Sequence, residues 1–423
     1  MMAENMFERD EQTKLEKARS DVVTVVFTAD NHLGYTEQQS RKREERRQWL
    51  HRAFQQATDF AVMQGVDLFI QAGDLFDTTM PDERDRSFVA ERLANLKQAG
   101  VHTLALGGVH DTPLDDVTPA PQMSYARLGA LQYFSPVPSD NLLEPRFFSI
   151  RGEQVGVCAL GVLPDQNGDP LAQIRISDEI ERATIPLLLL HAPIEGLASS
   201  SPLLASRTQI SRAALTKLSA FRYILAGFHH GHCRFQLGQT EVIVAGATQH
   251  VDFSVPDATP GFLFMGLAAD GIRWCNHIPV DTLKVKQLSI PVNELWPADP
   301  AKQDPLPTEA ILSRLRPLCH SDTMIQLRLE GELTRSRYHD LDLNQIRRYG
   351  EEHCFALAID DSALSLLPDQ EAIVLESSER LSLRSEVSAI VDEWMNTASD
   401  EQEKQILQWT KEEVLSALEE MRR

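Results

Sequence analysis

Asp30 and His32 stand two positions apart in Thr28-Ala-Asp30-Asn-His32-Leu-Gly34, directly after the apolar run Val22 to Phe27. A carboxylate and an imidazole at a strand exit are the donor types of a divalent-cation site, and α/β folds place their ligand sites at such exits. Alone, the pair reads as a turn aspartate and a surface imidazole. Recurrence changes that reading. Asp67 to Gln71 runs into Gly73-Asp74 and on to Asp77, and Val101 to Leu106 runs into Gly107-Gly-Val109-His110-Asp111. Ile185 to Leu190 runs into His191, and Phe221 to Ala226 runs into Gly227-Phe228-His229-His230-Gly-His232. One parallel or mixed sheet would gather these ends on a single edge. The chemistry such oxygen and imidazole donors suit is the binding of divalent cations by residues far apart in the chain.

The intervening segments supply the frame. Trp49, Leu50, Phe54, Ala57, Ala61 and Val62 recur at helical spacing, as do Phe88, Val89, Leu93 and Leu96 before a stop at Gly100. Residues 112–145 are rich in proline and polar residues and read as loops over the site face. Phe147 to Ile150 and Gln154 to Leu160 predict a hairpin around Arg151-Gly152, Ser211 to Ser219 a helix, and Glu241 to Ala245 and Gly261 to Gly266 further strands. Strand–helix alternation of this kind means a layered α/β core, taken as residues 21–290 after a charged tail, 1–20. Five prolines within 291–307 mark a linker. Met324 to Leu329 and Cys354 to Ile359 then predict strands of a small α+β module, 308–372. In 373–423, Leu383, Val387, Ile390 and Trp394 step at helical spacing, and Ser399 to Gln402 resembles a capping box. Those helices either fold back on the chain or dock on a partner.

Composition bounds the function classes. The chain has 423 residues, 42% hydrophobic and 24% charged, enough for two or three domains. No apolar stretch approaches the roughly 20 residues of a membrane span, and the charged start has no signal-peptide character, so a cytoplasmic protein without membrane contact is expected. Five scattered cysteines without a Cys-x-x-Cys pair exclude a disulfide framework and a zinc ribbon. A net charge of −21 speaks against a simple nucleic-acid binder. Against that average, Arg41, Lys42, Arg43, Arg46 and Arg47 cluster around two glutamates. They form either a solvated helix face with internal ion pairs or a patch that tracks a nucleic-acid backbone; an acidic chain acting on DNA would need a basic partner for most of its grip.

In order and spelling, these segments resemble the calcineurin-like metallophosphoesterases, and within them the SbcD-type subunits of DNA-repair nucleases. The match includes Gly246 to Phe253 followed by Pro260-Gly-Phe262 and covers roughly residues 21–290. It implies β-sheets flanked by helices, a small α+β cap domain and C-terminal helices that dock on an SbcC-like coiled-coil ATPase. It further implies DNA as substrate, homodimerisation through the core, and manganese as the divalent metal. One metal would take Asp30, His32, Asp74 and His230. The second would share Asp74 and take His191, but its Asn position is Val109 and its first-His position is Phe228. Neither side chain offers a lone pair, and both losses strike the same metal, so the first site is expected intact and the second weakened or lost. His229 and His232 flank the altered position and could substitute through a register shift. His110 matches the proton donor to the leaving oxygen, with Asp111 beside it as orienter. The expected function is a DNA exonuclease or endonuclease subunit using metal-activated water. The alternatives are a catalytically impaired pseudo-nuclease that binds DNA ends as a scaffold of the ATPase complex, and a small-molecule phosphodiesterase, against which the cap-like module and C-terminal helices speak.

Overall fold

The computed structural model describes residues 22–35, 42–115, 117–163, 165–199, 201–296 and 306–367, with scattered positions between 391 and 411. The expected N-terminal tail, Arg41 and most of the expected C-terminal helices lie outside the described residues.

The apolar run Val23–Thr28 forms β1, buried at all six positions, which a strand covered on both faces requires. β1 pairs in parallel with β2 (Leu68–Ala72), β2 with β3 (His102–Leu106), and β3 with β4 (Gln132–Phe134). On its other side β1 pairs antiparallel with β13 (Gly261–Ala268), which carries β14 (Gly271–Pro279). A second six-stranded sheet has the order β11 (Cys233–Leu237), β12 (Thr240–Val244), β10 (Tyr223–Gly227), β9 (Ile185–His191), β7 (Glu153–Gly161), β6 (Arg146–Ile150). β5 (Leu142–Leu143) and β8 (Arg175–Ile176) form a short parallel pair.

The two large sheets share one buried apolar cluster, with Val25, Phe27, Ile70 and Leu104 from the first and Val157, Leu187, Leu189 and Leu225 from the second. The outer face of the first sheet is covered by α1 (Arg43–Gln64) and α2 (Glu83–Gln98), through Leu50, Phe54, Ala57, Val89, Leu93 and Leu96. Gly65, in the left-handed conformation, ends α1, and the Asp82 carboxylate caps α2 by accepting from the Arg84 and Asp85 amides. Short helices carrying Leu204, Leu215 and Leu218 cover the second sheet. This is the expected layered α/β architecture, sheets flanked by helices.

A third sheet contains β15 (Lys284–Pro291), β16 (Thr323–Thr334) and β17 (Ala356–Leu367), with the helices Pro307–Leu315 and Leu343–His353. The α+β module thus draws on residues earlier in the chain than 308: β15 pairs with β16 in parallel from Lys284↔Thr323 to Pro291↔Glu330. By backbone contacts, described residues up to Glu332 and Asp340–Ser365 belong to one compact unit, and Leu333–His339 with described residues from Leu366 onward to another. Among the described residues, no helix is long and apolar enough to cross a membrane.

Candidate metal centre

Four strands bring the predicted ligands together. Asp30 and His32 follow β1, Asp74 follows β2, His191 ends β9, and His230 lies three residues beyond β10. The loops after β1 and β2 clasp each other: Asp30 N–H donates to Gly73 O at 3.1 Å, and the amides of Asn31 and His32 donate to Asp74 O at 2.9 and 3.0 Å. Within these loops Asp30, His32 and Asp74 have φ of 49°, 46° and 54°, and Phe228 has 76°. Left-handed backbone at non-glycine residues is costly and persists where surrounding bonds over-determine it, as these do. Two glycines are demanded by close approach: a Cβ on Gly73 would lie 2.0 Å from His191 Nδ1, and one on Gly108 2.1 Å from Asp74 Oδ1.

All five predicted ligands are buried. One donor atom each from Asp30, His32 and His230 lie within 4.8 Å of one another, and so do donors from Asp30, Asp74 and His191. Asp74 Oδ2 stands 3.9 Å from His32 Nε2 and 3.2 Å from His191 Nε2. Two imidazoles are hydrogen-bonded through Nδ1, His32 to Asp77 Oδ1 at 2.9 Å and His191 to Ala72 O at 2.8 Å, while His230 Nδ1 makes an ion-pair contact with Asp252 Oδ2 at 3.0 Å. Such outer partners fix ring orientation and free Nε2 to ligate. Asp30 Oδ2 and His32 Nε2 are buried without a hydrogen-bond partner, an expensive arrangement that a cation would resolve.

The charges in this cluster depend on one another. Burial pushes the Asp30 pKa up, against the pull of His191 and His230. Burial also acts to raise Asp74, but the adjoining His191 outweighs it and holds the carboxyl below the usual range. His191 in turn would be lowered by burial, yet Asp74 lifts it to about 9.

The expected second-site positions are apolar in space as well as in sequence. Val109 is half-buried against an apolar cluster. Phe228 is buried with its ring 5.6 Å from the His191 ring, edge to face, while its backbone N–H donates to Asp30 Oδ1 at 3.0 Å. Neither His229 nor His232 joins a metal-capable group among the described residues. His229 Nε2 accepts from Ile194 N–H at 2.9 Å and its Nδ1 donates to Ala198 O at 2.7 Å, so neither nitrogen is free to ligate. His232 donates to Val244 O at 2.7 Å and stacks on His277. The register shift is not taken, since Gly227 stands opposite His191 at the ends of β10 and β9.

His110 is exposed at the mouth of the cluster, its N–H bonded to Asp74 Oδ1 at 2.8 Å. Its orienter is not Asp111. That carboxylate is fully buried and accepts from Gly108 N–H at 2.8 Å, Phe76 N–H at 3.1 Å and the Gln122 amide; burial, then Asp74, raises its pKa to about 7. The carboxylate that faces His110 is that of Asp77, with Oδ1 3.5 Å from His110 Nδ1. Asp77 and Asp252 are the functional candidates that sequence reasoning missed. Asp77 lies three residues after Asp74 in the same motif, and Asp252 falls inside the segment Gly246 to Phe253.

The basic stripe at the start of α1 is divided. Arg46 is fully buried and donates to His250 O at 2.6 Å and to Met324 Sδ at 3.6 Å, so it cannot track a phosphate backbone. Arg47 pairs with Glu44, Asp82 and Asp85, and Lys42 donates to Cys354 O at 2.5 Å. Arg43 is exposed. For most of this stripe, the internal-ion-pair and packing reading describes the structure.

Arg46 also sets up a pH dependence. Burial, with the Arg46 charge next, lowers the His250 pKa to about 4. In the unfolded chain this imidazole titrates near about 6.5, so below that pH the unfolded state binds more protons than the folded one. Stability is therefore lost as pH falls from about 6.5 to about 4, and not above that window. Urea denaturation at about pH 7.5 and about pH 5 should show the acid-side loss shrinking by about 2 kcal/mol in His250→Gln.

Residues 23–227 match the calcineurin-like phosphoesterase family. The DNA double-strand break repair protein Mre11 of Sulfurisphaera tokodaii is 26% identical over 275 residues, 64% of this chain and 64% of that protein. The protein of the same name from Saccharolobus solfataricus is 25% identical over 259 residues, 61% of this chain and 62% of that one. The match thus spans less than two thirds of either relative. Among solved structures, a dimetal phosphatase from Danio rerio aligns with a TM-score of 0.38 and 15% identity, covering 62% of this chain and 100% of that one.

Proposed function

We propose that this chain, which carries a calcineurin-like phosphoesterase domain over residues 23–227, is a metal-dependent phosphodiesterase of the Mre11 and SbcD kind acting on DNA, with one firm cation site and one weak one. The observation that carries this reading is the buried donor set at the clasped loops, with Asp30 Oδ2 and His32 Nε2 unpartnered and apolar side chains at Val109 and Phe228. Asp30, His32, Asp74 and His230 would hold the firm cation, manganese by the sequence resemblance, with His191 and Asp74 left for the weak one. A divalent cation supplies charge against the phosphoryl oxygens and acidifies a water.

The chain's own residues do the rest. Asp77 holds His32 and faces His110 Nδ1, which turns the other nitrogen of this exposed ring outward to pass a proton to the leaving oxygen. Asp252 keeps His230 oriented. The acidic chain gains its hold on DNA from a basic partner, a coiled-coil ATPase of the SbcC kind, docked through residues 373–423. Homodimerisation through the core and a cytoplasmic setting belong to the same proposal.

A second reading, a DNA-end-binding scaffold without hydrolysis, is favoured by Phe228, whose ring adjoins His191 where a ligand is expected. Elemental analysis after manganese loading, paired with cleavage of linear duplex DNA, tests both. One metal per chain with slow, manganese-dependent cleavage is expected. Two tightly held metals would refute the weak-site assignment, and one metal with no cleavage, even with the ATPase added, would support the scaffold.

A further inference from the structure

Arg46 carries a charge into the interior: its side chain, on α1, is fully buried. Desolvating a guanidinium is costly unless fixed hydrogen bonds replace the lost water. One terminal nitrogen donates to two successive carbonyls, His250 O at 2.6 Å and Val251 O at 3.4 Å, while the other donates to Met324 Sδ in β16 at 3.6 Å. The guanidinium carbon lies 5.1 Å from the centroid of the Tyr35 ring.

Those contacts converge on the metal centre. Residues 250–252 lie in neither helix nor strand, so side chains rather than a ladder set the path of this backbone. Upstream, the Gln249 side-chain oxygen accepts from the Thr282 hydroxyl and from Leu283 N–H. Downstream, Asp252 Oδ1 accepts from Ser254 N–H at 2.7 Å, and its Oδ2 stands 3.0 Å from His230 Nδ1. Arg46 grips the two carbonyls between those ties, directly before the carboxylate that faces His230. Its other neighbour, Tyr35, ends the loop that carries Asp30 and His32, and Tyr35 N–H donates to His32 O at 3.0 Å.

We propose that Arg46 is a positioning residue of the metal centre. Its guanidinium fork fixes the backbone at His250 and Val251 so that the Asp252 carboxylate meets His230 Nδ1 and leaves Nε2 aimed at the cation. The proposal rests on the reading of His230 as a ligand of the firm cation. A planar fork of several N–H donors can hold adjacent carbonyls at once, whereas a lysine ammonium on its flexible stem is a point charge. Arginine on the buried stripe of α1 is therefore explained by what lies at the far end of its side chain.

The test reads the imidazole and the metal separately, on the full chain. In metal-free protein carrying isotope-labelled histidine, the His230 ring signals, assigned by their loss in His230→Gln, should move in Arg46→Met as they do in Asp252→Asn. Methionine occupies the space beside Met324 and Tyr35 while removing the fork. Manganese affinity, measured by competition with a metal-sensitive dye, should fall about 10- to 100-fold in Arg46→Met and in Asp252→Asn, and about threefold to tenfold in Arg46→Lys. Because both residues act through His230, the double variant Arg46→Met with Asp252→Asn should bind no more weakly than the weaker single variant. Arg46→Lys, which keeps the buried charge, carries the same comparison if Arg46→Met does not fold. Unmoved ring signals, an affinity within about twofold of wild type in a folded Arg46 variant, or losses that multiply in the double variant would overturn the proposal alone. A wild-type chain that takes up no manganese would overturn it together with the reading on which it rests.

Discussion

Asp30→Asn should abolish tight manganese binding and reduce cleavage of linear DNA by about 10³-fold or more. Asp30 is fully buried and contributes to two of the three groups of candidate ligands among the described residues. Asparagine is the informative replacement because it keeps what alanine would destroy. It tolerates the left-handed φ of 49°, and its side-chain oxygen can still accept the Phe228 N–H that Asp30 Oδ1 accepts at 3.0 Å. What it removes is the charge. An intact fold by circular dichroism, with metal content near zero by elemental analysis and the stated loss of cleavage, is the outcome consistent with a ligand. Retention of metal, with cleavage within about tenfold of wild type, would remove Asp30 from the site.

Val109→Asn combined with Phe228→His should run in the opposite direction. The pair restores two donors at the positions where side chains are apolar, and the backbone is already prepared for them. Phe228 N–H continues to serve Asp30, and a φ of 76° costs His less than Phe. The His191 ring stands 5.6 Å from the ring to be replaced. A second manganese per chain is expected, with cleavage faster by about 10- to 100-fold. If the double variant folds, binds two metals and still does not cleave, the deficit lies outside the second site, and the scaffold reading becomes the better account.

Much of the centre was legible before any coordinates because its parts are local: an apolar run fixes a strand, and the residue at its end is delivered to the sheet edge whatever surrounds it. Asp30, Asp74 and His191 were readable in this way, and so was the apolar character of Phe228. The orienting carboxylates were not, because an anchor is defined by who approaches it. Asp111 is next to His110 in sequence, yet the turn at Gly108 to Asp111 folds its carboxylate inward, and Asp77 reaches the imidazole from another loop.

Arg46 shows the opposite failure, since its signal was present and outweighed. It lies four residues before Leu50 and seven before Ala53, on the buried stripe of α1, but stands in a run of charges that reads as a surface. The register of β15 was missed because its residues are mostly exposed or half-buried, so its partner in β16 could not be inferred from a buried alternation.

One feature of the centre reaches past catalysis. Asp30 and Asp74 leave the first large sheet, while His191 and His230 belong to the second. An ion gripped from both sides would act as a rivet between the two layers of the core, its binding energy added to the cohesion of the sandwich itself. Saturation at about a hundred times the dissociation constant would add about 2.7 kcal/mol to folding. Chelation would then loosen the seam between the sheets even in a chain that hydrolyses nothing, so occupancy of this centre can be read by melting the protein, with no substrate in the tube.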